Sequence, residues 1–138
     1  MKTTSLELSK KIFEVFPEWK ATLWWVVKDN GGGDLTKGII HPSHQEFTEV
    51  MKDATETCPA YDTDFLLDKL PKFVGDDKVP HLLCLQPNPV GKGWMAFYRH
   101  KSISPSHRLV ETSHVAEADT PAEALGNLCL ALHEKGLL

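Results

Sequence analysis

The clearest structural signal lies near the end of the chain, in Ala118-Asp119-Thr120-Pro121-Ala122-Glu123-Ala124-Leu125. Thr120 and Glu123 have the T-x-x-E spacing of a capping box, in which each side chain accepts a hydrogen bond from a backbone N–H group in the first turn. Pro121 then stands at the first helical position, where its missing N–H group costs nothing. The stretch therefore predicts the start of a helix at residue 121.

The residues that follow predict the buried face and the end of this helix. Apolar side chains recur at i, i+3, i+4 and i+7, in Leu125, Leu128, Cys129 and Leu132. Gly136 suits the left-handed residue that ends many helices, and Lys135 suits the negative end of the helix dipole. Together these signals predict a helix over residues 121–135 that packs one apolar face on the rest of the protein.

Similar start and stop signals predict three earlier helices. They span residues 5–16, residues 44–54, and a short segment that is capped by Asp62 or Thr63 and ends at Pro71. Capping-box spacing precedes the first two, with Thr4 and Glu7 before one and Ser43 and Glu46 before the other. Pro17 ends the first helix, and Cys58-Pro59 is expected to break the chain after the second.

Runs of β-branched and aromatic residues predict the strands. They cover residues 21–27, 36–41, 81–86 and 94–99, with one or two short pieces in 108–118. The first run is almost continuously apolar, which indicates a strand covered on both faces and near the middle of a sheet. Gly31-Gly32-Gly33 is expected at a hairpin tip. Turns are expected at 75–80 and 87–93, and a loop at 102–106.

The order of elements predicts an α+β fold in a single domain of residues 1–138. Short connections between successive strands favour a mainly antiparallel sheet of about four or five strands. The amphipathic helices need an apolar surface, and the sheet supplies it. The chain is long enough for a sizeable core, and no internal repeat or linker divides it.

Composition excludes several classes of function. The net charge of −4 argues against non-specific nucleic-acid binding, which requires Lys and Arg to neutralise phosphates. Three cysteines, Cys58, Cys84 and Cys129, do not form a disulfide framework and fit a reducing compartment. No apolar run has the length of a membrane span, and the N-terminus lacks a signal core. The expected location is the cytoplasm.

Two segments of the chain resemble the phage ABA-sandwich domain family, whose members are small phage and prophage proteins. One is Tyr61-Asp62-Thr63-Asp64 at the start of a short helix; the other runs from Ala116 through Thr120, Ala124 and Leu125 to Gly136. The resemblance implies an α/β/α layered sandwich and a location in the cytoplasm of a bacterial host. It implies no established activity or catalytic residues.

The chemical side chains do not form a recognised catalytic or metal-binding pattern. The closest metal-ligand spacings are His41 with His44, His81 with Cys84, and Cys129 with His133, whereas structural zinc requires four ligands. No G-x-S-x-G or phosphate-loop motif occurs. Cys58 is the cysteine expected to be most exposed, and Asp62 and Asp64 suit a helix start better than a metal. No catalytic residue, metal ligand or cofactor is therefore assigned.

The most interesting binding candidates lie on one predicted strand and its basic end. They are Trp94, Tyr98, Arg99 and His100, followed by Lys101. Trp, Tyr and Arg dominate binding hot spots, so this strand could hold an acidic partner or an anion. The simpler alternative is a strand with a core tryptophan and a basic end.

Three functional hypotheses follow from the sequence. The first is a small phage-type interaction protein without catalysis, which binds a protein partner or a small molecule and modulates a host system. The second is a metal-dependent or nucleotide-processing enzyme that uses His41, His44, His81 or His100. The third is a structural homodimer that pairs through the apolar strand Leu23 to Val27, if that strand lies at a sheet edge.

Overall fold

The computed structural model of the chain describes residues 3–75, 81–100 and 112–138. The helices are α1 (Leu6–Val15), α2 (Phe47–Asp53), α3 (Thr63–Lys69) and α4 (Pro121–Glu134). The strands are β1 (Leu23–Asp29), β2 (Leu35–Ile40), β3 (Glu56–Ala60), β4 (Phe73–Val74), β5 (His81–Pro87), β6 (Trp94–His100) and β7 (Thr112–Ala118). None of the helices in these ranges has the length and apolar character needed to cross a membrane.

The predicted closing helix is confirmed as α4. The Thr120 hydroxyl accepts a hydrogen bond from Glu123 N–H at 3.2 Å, and Gly136 adopts a positive φ of 72° just beyond the helix. The predicted apolar stripe is fully buried in Leu125, Leu128, Cys129 and Leu132. The second half of the capping box differs, because the Glu123 carboxylate accepts from Ser5 N–H at 2.7 Å. This bond joins the start of α1 to the start of α4.

Helix α1 confirms the first predicted helix but begins with a different cap. Ser5 is the N-cap and accepts from Leu8 N–H, whereas Thr4 is buried and its hydroxyl lies 2.6 Å from Ser9 Oγ. The Thr4 hydroxyl also accepts from Tyr61 N–H at 3.3 Å. The prediction of Thr4 as the cap was therefore wrong, because tertiary contacts use its side chain.

Helix α2 is shorter than predicted and lacks the predicted cap. It begins at Phe47 rather than near residue 44, and its N-cap residue, Glu46, makes no side-chain capping bond. The Ser43 hydroxyl instead lies 2.7 Å from His41 Nδ1. The prediction of a Ser43 capping box was wrong, because a local turn between His41 and Phe47 uses that hydroxyl.

The α+β class with helices packed on antiparallel sheets is confirmed, and the strands divide between two sheets. One has the order β2-β1-β3 and the other the order β4-β5-β6-β7. Helix α4 packs on β5, β6 and β7, while α1 contacts both α4 and β3. Helix α1 therefore links the β2-β1-β3 sheet to α4 through its buried face of Leu8, Ser9 and Ile12, while its opposite face is exposed.

Two strands of these sheets are absent from the sequence prediction. Strand β3 contains Cys58 and Pro59, where a break was expected, and β4 is a two-residue strand. Proline cannot donate to a ladder, but it is tolerated in a strand at the edge of a sheet. The β3 pairing also depends on β1, which lies about thirty residues earlier, so local signals do not reveal it.

The strand predicted over residues 21–27 is confirmed in a central position. β1 pairs with β2 on one side and with β3 on the other, and Trp25, Val26 and Val27 are buried. The homodimer hypothesis required this strand at an edge, so that route to a dimer is excluded. The expected loop at 102–106, the turn residues 76–80 and residues 108–111 lie outside the described residues.

We predict that Thr4→Val destabilises the protein by about 1–3 kcal/mol, because the variant leaves the buried Tyr61 N–H group without its acceptor. Chemical denaturation monitored by tryptophan fluorescence measures the free energy of unfolding. Thr22→Val makes the same substitution at an exposed position and serves as the control. Equal effects of the two variants would contradict this role for the Thr4 hydroxyl.

We also predict that Gly126→Val destabilises the protein by about 2–3 kcal/mol more than Asn127→Val, because added volume disrupts a packed core. A Cβ atom at residue 126 would lie 2.8 Å from Leu8 Cδ2 and 3.0 Å from Ile12 Cδ1. Asn127 is the next residue on α4 and is exposed, so its variant introduces valine without the clash. Helix propensity does not explain the expected difference, because valine is a better helix former than glycine and about equal to asparagine. Thermal unfolding of the two variants gives the comparison, and similar midpoints would refute close packing at residue 126.

Candidate functional site

The four residues predicted as a binding site do not share a surface. Trp94 and Tyr98 lie on the face of β6 that packs against α4, within or against the main hydrophobic core. Arg99 is exposed on the opposite face, because successive side chains on a strand alternate. The backbone of His100 pairs with His81 at the end of the strand, and Lys101 lies outside the described residues. The sheet itself thus separates the aromatic members from Arg99.

Tyr98 has a structural role. Its ring is fully buried, and its hydroxyl donates to the Pro71 carbonyl oxygen at 2.7 Å. Burial raises the pKa of this phenol well above its ordinary value, and the nearby Cys129 adds to the effect. The side chain therefore stays neutral and ties β6 to the chain that follows α3, where no partner molecule can reach it.

Cys58 and Cys129 do not provide an activated thiolate. Cys58 is 3% exposed, so the expectation that it would be the most exposed cysteine was wrong; β3 turns it toward the core. Burial raises the pKa of the Cys58 thiol to about 11, with a contribution from Glu56, and burial raises that of Cys129 to about 12. Both therefore carry a proton at neutral pH and are poor nucleophiles.

The histidine pairs considered as metal ligands do not form a metal site. Among residues 3–75, 81–100 and 112–138, no three His, Cys, Asp or Glu side chains come together closely enough to hold a metal ion. His81 and Cys84 lie on opposite faces of β5, as predicted, since they are three residues apart in register. Asp62 caps α3, where its carboxylate accepts from Phe65 N–H at 2.8 Å.

His41 and His44 each use one ring nitrogen in a local turn. Ser43 N–H donates to His41 Nδ1 at 3.0 Å, and Glu46 N–H donates to His44 Nδ1 at 3.2 Å. Because Nδ1 accepts in both rings, a neutral ring carries its proton on Nε2. That nitrogen then acts as a hydrogen-bond donor rather than as a metal ligand. The pair suits a carbonyl or carboxylate oxygen better than a metal ion.

The sheet edges differ in how well they are protected against pairing with another strand. Natural edges are usually short, bulged, covered, or interrupted by proline. β3 carries Pro59 and contacts α1, and β4 has only two residues. β7 contains a register shift opposite Ala96 and Tyr98, with His114 at a positive φ of 51°. β2 has none of these features over its six residues.

The hydrogen-bonding pattern of β2 leaves the backbone N–H and C=O groups of three residues pointing away from the sheet. Asn30 N–H donates to Asp34 O at 2.9 Å, and hydrogen-bonded pairs alternate along an antiparallel ladder. The continuing register therefore turns the N–H and C=O groups of Thr36, Gly38 and Ile40 toward β1. The groups of Leu35, Lys37 and Ile39 point away from the sheet. In the part of the chain that the structure describes, β1 is the only strand that pairs with β2.

A groove of about 390 Å³ runs beside this edge. It lies on the sheet face that carries Val26 and Lys28 of β1. Its lining residues are Val26, Lys28, Thr36, Lys37, Gly38, Ile39, Ile40, His41, His44 and Val50. Strand β2 forms one wall, and the turn after β2 together with α2 forms the other. We call the edge of β2 and this groove the β2 site.

Gly38 creates the space in the middle of the β2 site. Its side-chain position faces the groove, because it pairs with Val26 in register, and a Cβ atom there would meet nothing within 4 Å. Its φ lies outside the left-handed region, so the backbone does not require glycine. Without a side chain at this position, the groove is bounded by the buried Val26 and the half-buried Ile40 and Val50.

Two lysines are among the residues that line the groove. Lys28 lies on the groove face of the sheet, whereas the side chain of Lys37 points to the opposite face, and the described lining residues include no carboxylate. Glu46, Glu49 and Asp53 line a second cavity of about 180 Å³, which shares Lys28 and Val50 with the groove. Leu35 and Ile39 are 58% and 39% exposed on this edge strand. The site thus combines unpaired backbone groups, apolar surface and cations.

Neither the models of known protein families nor the curated proteins or solved structures provide a match to this chain. The resemblance to the phage ABA-sandwich family stays a prediction that rests on its motif residues. Residues 36–41 were predicted as the return strand of the glycine hairpin but not as a binding site. The open edge of β2 depends on strand order, which the sequence does not reveal. The sequence feature that is consistent with an open edge is the absence of proline from the run Leu35-Thr36-Lys37-Gly38-Ile39-Ile40.

We predict that iodoacetamide at pH 8 alkylates Cys58 and Cys129 in the native protein at least about 100 times more slowly than in the unfolded chain. Both pKa values lie two or more units above this pH, so the reactive thiolate is scarce, and burial blocks access. Mass spectrometry of peptides with and without denaturant measures both rates. Rapid native alkylation of Cys58 would restore it as a candidate nucleophile.

Proposed function

We propose that this chain is a small phage- or prophage-type interaction protein without catalysis, which binds an extended segment of a protein partner at the β2 site. The segment adds a strand to the β2-β1-β3 sheet. Its backbone pairs with the outward groups of Leu35, Lys37 and Ile39. Such strand addition is a common mode of peptide recognition, in which main-chain bonds give affinity and pockets for alternate side chains give specificity.

The single observation that carries this proposal is the open edge of β2, which has no proline or bulge and no covering element in the described part of the chain, beside an apolar groove. Over its six residues this edge presents two exposed large apolar side chains and one charge, Lys37, which opposes pairing between identical copies but not pairing with a different strand. The other described edges carry a proline, a bulge or a very short strand. Retaining one open edge is understandable if that edge is the binding surface.

The proposed setting is the cytoplasm of a bacterial host, where the protein modulates a host or phage system. This part of the proposal follows from the motif residues of the closing segment and from the unpaired cysteines. A small-molecule ligand in the groove is the alternative occupant. It would use the groove without the outward backbone groups, so variants of the edge separate the two.

The test uses a displayed library of random heptapeptides, which is selected on the wild-type protein. We expect the selected peptides to lose at least about tenfold in affinity for Ile39→Pro, because proline removes an outward N–H group and its hydrogen bond. Gly38→Val fills the groove without strain and should have a similar effect. Isothermal titration calorimetry with the selected peptides measures the affinities.

Val115→Thr is the matched control, since it removes an exposed apolar side chain from β7 at the edge of the other sheet. Peptides that bind wild type, Ile39→Pro and Gly38→Val equally would refute strand addition, as would a selection that enriches nothing. Circular dichroism and thermal unfolding establish that each variant is folded. Light scattering at two concentrations adds a further outcome: a dimer that Ile39→Pro dissociates would replace the peptide proposal with self-association.

A further inference from the structure

The side chains of β2 divide into two sets that an added strand would meet on opposite faces. Leu35, Lys37 and Ile39 point to the face that carries Trp25 and Val27 of β1. Thr36, Gly38 and Ile40 point to the groove. A bound strand lies about 4.8 Å away, and its side chains alternate between the same two faces. Each bound side chain therefore has a defined neighbour on β2.

Lys37 stands at the centre of the exposed set. Its cross-strand neighbour on β1 is Val27, which cannot neutralise it. The ion pair found among the described residues joins Lys10 to Glu56, so Lys37 makes none there. On both sides of it are exposed apolar residues, Leu35 and Ile39. The surface offered to a bound strand on this face is thus apolar, cationic, apolar.

This pattern disfavours a second copy of the same strand. Antiparallel self-pairing that uses all three outward residues places Leu35 opposite Ile39 and Lys37 opposite Lys37 of the other copy. Like charges directly opposite each other on adjacent strands are destabilising. A carboxylate opposite Lys37 reverses the sign of that interaction. The edge therefore favours a different chain with an acidic residue at this position.

The groove face requires a large apolar side chain at a neighbouring position. The residue opposite Gly38 lies over empty space, since no atom comes within 4 Å of the missing Cβ. Around that space are Val26, Ile40 and Val50. An aromatic or branched aliphatic side chain from the bound strand would fill it and bury apolar area on both sides.

We propose that the β2 site recognises a five-residue extended segment with an acidic residue at its centre, apolar residues two positions away on either side, and a large apolar residue adjacent to the acid. This proposal rests on the strand addition proposed above. The acid lies opposite Lys37, the flanking apolar residues lie opposite Leu35 and Ile39, and the large residue lies opposite Gly38. The order gives the direction of binding: the large residue precedes the acid in an antiparallel segment and follows it in a parallel one.

The experiment uses charge reversal at Lys37. Heptapeptides selected on wild type should be enriched in Glu or Asp at one central position with apolar residues two positions away. A selected peptide and its Glu-to-Lys counterpart are then measured on wild type, Lys37→Met and Lys37→Glu. We expect wild type to prefer the acidic peptide by about three- to tenfold, Lys37→Met to show little preference, and Lys37→Glu to prefer the lysine peptide.

Two controls separate this inference from the proposed function. Raising the salt concentration from 50 mM to 500 mM should shrink the preference of wild type for the acidic peptide, since salt screens exposed charges. Peptides that depend on the Ile39 edge but show no acid preference, or a preference that Lys37→Glu leaves unchanged, would overturn the recognition pattern and leave strand addition standing. Peptides that ignore both Ile39→Pro and Gly38→Val overturn strand addition itself.

Discussion

The hydrogen bonds of Thr4 join the start of the first helix to the β2-β1-β3 sheet. Its N–H group donates to the Tyr61 carbonyl oxygen at 2.8 Å, and its carbonyl oxygen accepts from Trp25 Nε1 at 3.0 Å. Its hydroxyl is hydrogen-bonded to the Ser9 hydroxyl and accepts a hydrogen bond from Tyr61 N–H. One buried residue thus fixes the start of α1 to β1 and to the end of β3. An unpaired buried polar group costs about 1–3 kcal/mol, so moving the start of α1 away from the sheet would be unfavourable.

That junction places α1 on the β3 side of the sheet. Helix α1 contacts β3, where Cys58, Pro59 and Ala60 are buried, and β1 is the central strand through its pairing with β2 and β3. The remaining edge of the sheet is β2, which extends beyond the helical layer. The short helix α2 contacts β1, and its Val50 lines the groove beside Gly38. The open edge is therefore a consequence of where the core is.

The sequence predicted what is encoded by neighbouring residues and missed what depends on distant ones. Thr120, Pro121 and Gly136 define α4 because their effects act within one helical turn. The predicted roles of Thr4 and Glu123 were different, because their partners lie 57 and 118 residues away. β3 was missed since Pro59 is compatible with a strand only at an edge, and edge status depends on pairing. The emphasis on Trp94 and Tyr98 followed residue type alone, whereas burial assigns both to the core side of β6.

The charge of Lys37 has two effects at the β2 site, and both favour pairing with an acidic partner over pairing with an identical copy. A charged residue on an exposed strand discourages pairing between identical copies, which protects the free protein from aggregation. The same charge stabilises pairing with a strand that places a carboxylate opposite Lys37. Proline at the edge would give the first effect without the second, since it removes the N–H group that a partner needs. A single lysine between two exposed apolar residues therefore keeps the edge unpaired among copies and selective toward an acidic partner.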